Sequence, residues 1–336
     1  MTIMLTGAKT ETSKTKQTIR FLIPGELDSI DPALATMVAS GNVLLQLFEG
    51  LTMPDVKNGG VQPGVAERWT ISEDSKTYTF YLRKDAKWSD GTPVTTNDFV
   101  YAWTRVLTPE TGALASSRLS YVKNGQAFLD GTIKDPKQLG FKAMDDYTLQ
   151  VTLENPFPPF LEMTNMQTLF PVKKEVVEKY GDQWTRPEHI VSNGIFFLKE
   201  SVFDDKMVFE KNPHYWDRGN VKIDQAIGVV VDDLMTAIKR YMAGELDVVD
   251  TLPNQQIRTL KNRSDFYSVP GFGVYVYAIN TKVPVLDKAK VRRALSLAID
   301  RKIITDKVLQ GGGDSSNDLF PCGNGRLSLS DRLGPL

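Results

Sequence analysis

The chain has 336 residues, and at roughly 150 residues per domain that length suggests two domains. It is 41% hydrophobic and 10% aromatic, which supplies real cores and excludes a mainly disordered protein. Lys+Arg 40 against Asp+Glu 41 leave a formal charge of -1, which excludes a basic field for nucleic acid, and no run approaches the roughly 18 apolar residues of a membrane-spanning helix.

Residues 1–18 are polar and rich in Thr and Lys. Their apolar start is too short for the core of a signal peptide, so the segment reads as a solvated tether. Ile19, Phe21, Leu22 and Ile23 then predict a buried strand, stopped by Pro24-Gly25. After a turn at Asp31-Pro32, residues 43–48 predict a packed helix that ends at Gly50. Tyr78, Phe80 and Leu82 alternate as a half-buried strand requires. Thr95 or Thr96 can cap a helix whose Phe99, Val100, Trp103, Val106 and Leu107 share one face, and Pro109 follows its end. Leu149, Val151 and Leu153 alternate in another strand, before Pro156, Pro158 and Pro159 interrupt the chain. Asp232 or Asp233 can cap a helix carrying Leu234, Ile238 and Tyr241, closed by Gly244. Residues 247–250 and 274–279 read as strands, and 291–299 as a helix introduced by Asp287. The mixture is α/β or α+β, without internal repeats. From Gly311 the chain turns rich in Gly and Ser with no periodic apolar face, which predicts little regular structure.

Motifs for catalysis and metals are absent. The sequence holds no GxGxxG, GxxxxGK[ST], HExxH, GxSxG or EF-hand loop. Its single cysteine, Cys322, excludes an internal disulfide or a CxxC pair and reads as inert or exposed. Of the two histidines, His189 reads as a surface-loop imidazole, and His214 as packed beside Tyr215 and Trp216. Asp145-Asp146 and Asp232-Asp233 read as turns and caps rather than as an acid–base pair. Trp69, Trp88, Trp103, Trp184 and Trp216 could line a groove, but each reads first as core. The Asn262-Arg263-Ser264 sequon reads as a chance match.

Three blocks of residues carry a resemblance. They are Val65-Ala66-Glu67-Arg68-Trp69, then residues 78–94 ending in Trp88-Ser89-Asp90-Gly91-Thr92-Pro93-Val94, then Asn97-Asp98-Phe99-Val100-Tyr101-Ala102-Trp103. Together they are similar to the signature of the family 5 bacterial solute-binding proteins, the oligopeptide- and dipeptide-binding receptors of ABC importers. Phe48-Glu49-Gly50-Leu51, Ser192-Asn193-Gly194, Lys211-Asn212-Pro213-His214-Tyr215-Trp216, Gly244-Glu245-Leu246-Asp247 and the run from Val291 to Arg301 agree in order. The likeness runs over about residues 18–310 and is nearest to the oligopeptide-binding branch. Within it, Trp88, Ser89, Asp90, Gly91 and Pro93 read as a structural turn between strand and helix, in which Gly91 can take positive φ.

The resemblance implies an α/β fold of the periplasmic-binding-protein type (class II, cluster C), with two lobes that close on a ligand by hinge motion. It divides the chain into a 1–18 tether, a first lobe at 19–48 and 175–272, an added subdomain at 49–174, the start of a second lobe at 273–310, and a non-matching tail at 311–336. It implies no enzyme, no cofactor and no metal site. The implied partners are an extended oligopeptide, whose main chain pairs with receptor strands, and a membrane permease; the receptor would be a monomer. Carried over by position, the peptide-binding segment is Thr36, Met37 and Val38. Thr36 stands where an acidic residue is common in relatives, and Ala115 where some have an aromatic. Relatives lie in the periplasm or are lipid-anchored on the outer face of the membrane, yet the tether shows neither export signal nor lipid-anchor cysteine. Family members are longer, so the second lobe is expected to be incomplete and peptide binding weak. A severed lobe should also expose apolar surface. The alternatives are a receptor of the same fold for nickel, haem, a sugar or a signalling peptide, a carbohydrate hydrolase with paired carboxylates, and a truncated product without function.

Overall fold

The computed structural model describes residues 2–6, 16–55, 57–269 and 276–310. The chain divides into two compact units, Thr12–Asp232 and Met1–Glu11 with Asp233–Leu336. The first strand, β1 (Thr2–Thr6), belongs to the second of these. The sequence had read those residues as tether; the strand pairs antiparallel with two others of its unit.

The unit Thr12–Asp232 is built on two sheets. In the first, β2 (Thr18–Ile23) is the apolar run read from the sequence. It lies parallel to the last strand of the unit, Gln225–Val230. After β2 come α1 (Val38–Leu47) and the short hairpin β3 (Thr52–Pro54) with β4 (Val61–Pro63). The second sheet is antiparallel: β5 (Ala66–Ile71), β6 (Thr77–Leu82), β7 (Phe141–Asp145) and β8 (Thr148–Thr152), in the order β5-β6-β8-β7. Tyr78, Phe80 and Leu82 of β6 are buried, with Leu149 and Val151 of β8, as period-2 alternation demands. Between β6 and β7 runs α2 (Thr96–Leu107), whose Phe99, Trp103, Val106 and Leu107 are buried. Trp103 meets Phe141 of β7 edge-on at 5.5 Å and donates its indole N–H to the carbonyl of Leu169 at 2.9 Å. Thr95 is the N-cap of α2, and its N–H donates to the Asp98 carboxylate at 2.7 Å. The short helices α3 (Gly125–Leu129), α4 (Phe160–Met163) and α5 (Lys174–Tyr180) follow, and then β9 (Phe196–Val202), β10 (Lys206–Lys211) and β11 (Gln225–Val230). These complete the first sheet in the order β2-β11-β10-β9.

The second unit opens with α6 (Leu234–Met242), capped by Asp233, whose carboxylate accepts from the Thr236 N–H at 2.8 Å. The first lobe as read from sequence extends to residue 272, whereas the compact unit closes at Asp232. Next come β12 (Val248–Val249), α7 (Asn254–Leu260) and β13 (Phe266–Val269), with β1 paired between β12 and β13. The strand expected at 274–279 falls partly outside the described residues, and its described part, 276–279, is not a strand. Ahead lie α8 (Ala289–Leu297) and α9 (Arg301–Ile303). None of α8 is buried: Leu297 is 73% exposed, and Tyr277 before the helix 86%. The tail expected at 311–336, with Cys322, lies outside the described residues.

Several of the blocks that carry the family resemblance, residues 48–51, 192–194 and 211–216 with Arg83, meet at the C-terminal end of α1. Glu49, only 4% exposed, accepts from the Tyr215 hydroxyl at 2.5 Å and from the Trp216 indole at 2.9 Å. Its backbone exchanges two hydrogen bonds with the Asn193 side chain, at 3.1 and 2.9 Å. Asn212 donates to the Gly194 carbonyl at 3.0 Å, and the Gly194 N–H donates to the Leu47 carbonyl at 2.7 Å. A Cβ on Gly194 would lie 2.5 Å from the Leu47 carbonyl carbon, so only glycine fits there. Arg83 lays its guanidinium 3.4 Å from the centre of the Trp216 ring. At the other end of the α1 connection, Asp31 is buried and takes both guanidinium arms of Arg105, at 2.8 and 2.5 Å, together with the Trp184 indole at 3.1 Å.

Two outcomes follow from this packing. Asp31→Ala leaves the half-buried Arg105 guanidinium without its carboxylate, and should cost about 3–5 kcal/mol in urea unfolding. Adding Arg105→Met should restore a good part of that loss, and no recovery in the double variant would contradict the ion-pair account. Desolvation raises the Glu49 carboxyl to about 7, against the opposing pull of Tyr215, Trp216 and Arg83. A raised carboxyl means the folded state binds the extra proton between about pH 4.5 and 7, so stability should fall as pH climbs through that window, by roughly 3 kcal/mol. Unfolding curves of Glu49→Gln, which keeps an acceptor and carries no charge, should be flatter over the same range.

Candidate functional site

The segment expected to meet a ligand, Thr36-Met37-Val38, sits where the loop after β2 enters α1. Its sequence is poor in local helix signals: Met37 is the N-cap, without a side-chain oxygen to accept the first N–H groups. The carboxylate of Asp28, eight residues before Thr36, instead fixes the segment that leads into the helix. One of its oxygens accepts from the Thr36 N–H at 2.7 Å, the Thr36 hydroxyl at 2.5 Å and the Met37 N–H at 3.1 Å. The other accepts from the hydroxyl of Ser40, one turn into the helix. Desolvation works against ionisation, but these hydrogen bonds outweigh it and hold the Asp28 carboxyl down at about 2, so it stays an anion beside the positive end of α1.

The loop after Asp31 is equally determined. The Asp31 carbonyl accepts from Leu34 and Ala35 N–H at 3.0 and 2.9 Å, and its side chain from Ala33 N–H at 2.9 Å. The result is a fixed presentation of backbone. Met37 is extended, with φ −77° and ψ 148°, and is 52% exposed; Val38 is 81% exposed. Val38 is also the first residue of α1, where an N–H has no partner within the helix.

The signature residues have a different setting. The Trp88 side chain is buried, and its N–H donates to the Thr92 carbonyl at 2.8 Å. Asp90 accepts from the Thr92 N–H at 3.0 Å and hydroxyl at 2.6 Å, and pairs with Lys173. Gly91 adopts φ +85°, with the His214 imidazole 3.3 Å from where a Cβ would stand. Ser89 is bonded to Ser192 in both directions, at 2.7 and 3.2 Å, and Pro93 closes a bridge to Lys87. Trp88 is buried in the core, Ser89 is half-buried, and Asp90 and Pro93 are exposed; none of them is at Thr36–Val38. Ala115 lies half-buried just before the helical turn Ser116–Leu119.

The other candidate chemistry is dispersed. His189 stacks on Tyr180 with ring centres 3.8 Å apart. Asp145 accepts from the Tyr147 N–H at 2.8 Å as a turn residue. Trp88, Trp103 and Trp184 are buried, while Trp69 and Trp216 are half-buried, so these rings do not line an open groove. Among the described residues no group of three His, Cys, Asp or Glu could hold a metal, and no helix is long and apolar enough to cross a membrane. Sequence reasoning missed two groups that fix the site, Asp28 and Glu49. Glu49 did leave a signal, a lone charge inside the apolar run Leu47-Phe48-Glu49-Gly50-Leu51.

Comparison with known proteins places this geometry. Residues 60–326 match the family described as bacterial extracellular solute-binding proteins, family 5 Middle, so the match runs past Gln310. The periplasmic oligopeptide-binding protein OppA of Haemophilus influenzae is 41% identical over 300 residues, covering 88% of this chain and 55% of its own length. The periplasmic murein peptide-binding protein MppA of Escherichia coli is 40% identical over 302 residues, with the same coverage. The crystal structure of H. influenzae OppA in complex with the peptide RPPGFSPFR superposes with a TM-score of 0.81 at 42% identity, over 88% of this chain and 58% of that one. The OppAIV protein of Borrelia burgdorferi gives 0.85 at 37% identity, over 91% and 61%. The chain therefore spans little more than half the length of the curated relatives it matches, and its mixed α/β fold is that of the periplasmic binding proteins. By its matched residues and its fold alike, the chain belongs to the family 5 bacterial extracellular solute-binding proteins.

Proposed function

We propose that this chain is the ligand-capturing part of a receptor that takes up oligopeptides in extended form and hands them to the membrane permease of an ABC importer, outside the cytoplasmic membrane. The unit Thr12–Asp232 contributes the first-lobe side of that capture, through the backbone at Thr36, Met37 and Val38. The observation that carries the reading is the exposed pair of the extended Met37 and Val38, the first residue of α1, with the Thr36 and Met37 N–H groups already held by Asp28 and the Val38 N–H without a partner in the helix. A segment fixed before the ligand arrives loses little conformational entropy on binding. It can pair with a peptide main chain as an added strand would, without reading side chains. The resemblance to peptide-bound relatives supplies the ligand class, and the family contains receptors rather than enzymes. The runner-up, another solute on the same fold, has no feature of the described residues in its favour.

Two measurements test this. Calorimetric titration with RPPGFSPFR should give binding weaker than about 1 µM, because a partial enclosure desolvates less of the peptide; micromolar or tighter affinity would remove the weak-binding expectation. A photo-reactive version of the same peptide should label residues 34–38, and labelling confined to other surfaces would sink the site assignment. Val38→Pro gives the sharper variant. Proline is tolerated at the first position of a helix and after an extended residue, so stability should stay within about 1 kcal/mol. Labelling should nonetheless drop severalfold, since proline has no N–H to offer the peptide.

A further inference from the structure

Two charged side chains stand near the ligand segment, Asp28 and Arg118, and we infer that the Arg118 guanidinium receives a carboxylate carried by the bound peptide. The inference rests on the peptide-capture reading above. Arg118 lies half-buried in the helical turn Ser116–Leu119, three residues after Ala115. It donates from Nη1 to the hydroxyl of Thr168 at 2.6 Å, and no carboxylate of the described residues pairs with it. Arg105 of the same unit, also half-buried, is by contrast held by both oxygens of Asp31. A guanidinium carries five N–H donors in a planar fork that fits a carboxylate through two parallel bonds. Partial burial strips some of its water, and the neutral Thr168 hydroxyl leaves the charge unanswered. Thr168 is itself buried, so its hydroxyl also holds the guanidinium in place before a ligand arrives.

The position follows from α1. Val38 and Gly41 are three residues apart and share a face of the helix. A Cβ on Gly41 would stand 3.5 Å from the Gln167 side-chain nitrogen, and Thr168 is the next residue of the helical turn Gln167–Leu169. Arg118 is thus joined to the ligand segment through Thr168 and Gln167. An extended chain gains roughly 3.3 Å per residue, so a peptide paired at Met37-Val38 needs only a few residues to reach that flank. Asp28 restricts where the carboxylate can go. It is exposed, and its hydrogen bonds come from Ser29, Thr36, Met37 and Ser40, neutral donors that leave its negative charge in place. An acidic group laid against Met37 is repelled, whereas one further along meets Arg118. Main-chain pairing is blind to sequence, so these two charges are where the surface can discriminate.

The test is a titration of the full chain, followed by amide NMR shifts, with three acetylated peptides. Ac-Ala-Ala-Glu-Ala-NH2 has only a side-chain carboxylate, Ac-Ala-Ala-Gln-Ala-OH only a terminal one, and Ac-Ala-Ala-Gln-Ala-NH2 neither. Shifts at Thr36, Met37 and Val38 report capture. At least one carboxylate peptide should bind about tenfold more tightly than the neutral peptide and also shift the amides of Arg118 and Thr168; which one does so identifies the source of the carboxylate. Arg118→Gln keeps a donor for the Thr168 hydroxyl without the charge, and should bring all three peptides to one affinity. A loosened turn would weaken the three alike, so their ratio reads the charge. Equal affinities in the unsubstituted chain, or a preference that survives in Arg118→Gln, with shifts at residues 36–38, would overturn the Arg118 assignment and leave the capture reading intact. An absence of shifts at residues 36–38 would overturn both.

Discussion

A single buried carboxylate holds the first unit's motifs together. Glu49 is removed from water and would be costly there without partners, yet it receives a tyrosine hydroxyl and an indole N–H while its backbone is clasped by Asn193. Each partner comes from a different stretch of chain: residues 192–194 from the run into β9, residues 212–216 from the loop after β10. Arg83, at the end of β6, covers the Trp216 face and bonds the Gly64 carbonyl at 2.7 Å. One acid thereby ties the end of α1 to both sheets. Replacing any one donor would strand the rest, which is why such networks specify a single arrangement more sharply than apolar contact alone.

The consequence for the ligand segment is geometric. Helix α1 is fixed at its C-terminal end by the Glu49 cluster and the Gly194–Leu47 contact, and before its N-terminal end by Asp31 and Asp28. The two acids near the N-terminus act differently. Asp31 is ion-paired and buried, and it locks the loop to α2 and to Trp184. Asp28 is exposed and works through short-range hydrogen bonds to Thr36 and Met37, the residues proposed to face a ligand. A helix anchored in this way cannot tilt independently of the sheets, so the Met37-Val38 backbone is presented at a constant angle to the rest of its unit.

Much of this was legible in the sequence, and the failures have physical causes. Alternation at Tyr78, Phe80 and Leu82 and the helical face of Phe99, Trp103 and Leu107 announced β6 and α2, because burial of one face imposes those periods. The start of α1 was not legible. Residues 38–42, Val-Ala-Ser-Gly-Asn, have no apolar periodicity, and Met37 before them offers no capping oxygen; the entry to the helix is fixed from outside the segment by Asp28, through the Thr36 and Met37 N–H groups and the Ser40 hydroxyl. Such a contact leaves no trace in the segment's own pattern. The site segment itself came from family likeness, not from periodicity, and Thr2–Thr6 looked like a tether because a strand so short is decided by its pairing partners rather than its own composition.

The two units also differ in how far local pattern and burial agree. In Thr12–Asp232 most of the apolar positions that predict elements are buried or half-buried, and the core runs through both sheets. In residues 276–310 the pattern predicts a helix, and a helix forms, yet no residue of α8 is buried. Helices of nine residues draw their stability from a packed face rather than from propensity. An amphipathic helix with its apolar side exposed is a surface open to cover. The segment proposed to meet the ligand lies in the unit with the extensive buried core. Any shortfall in affinity therefore traces to how much of a peptide can be enclosed, not to a poorly formed Thr36–Val38.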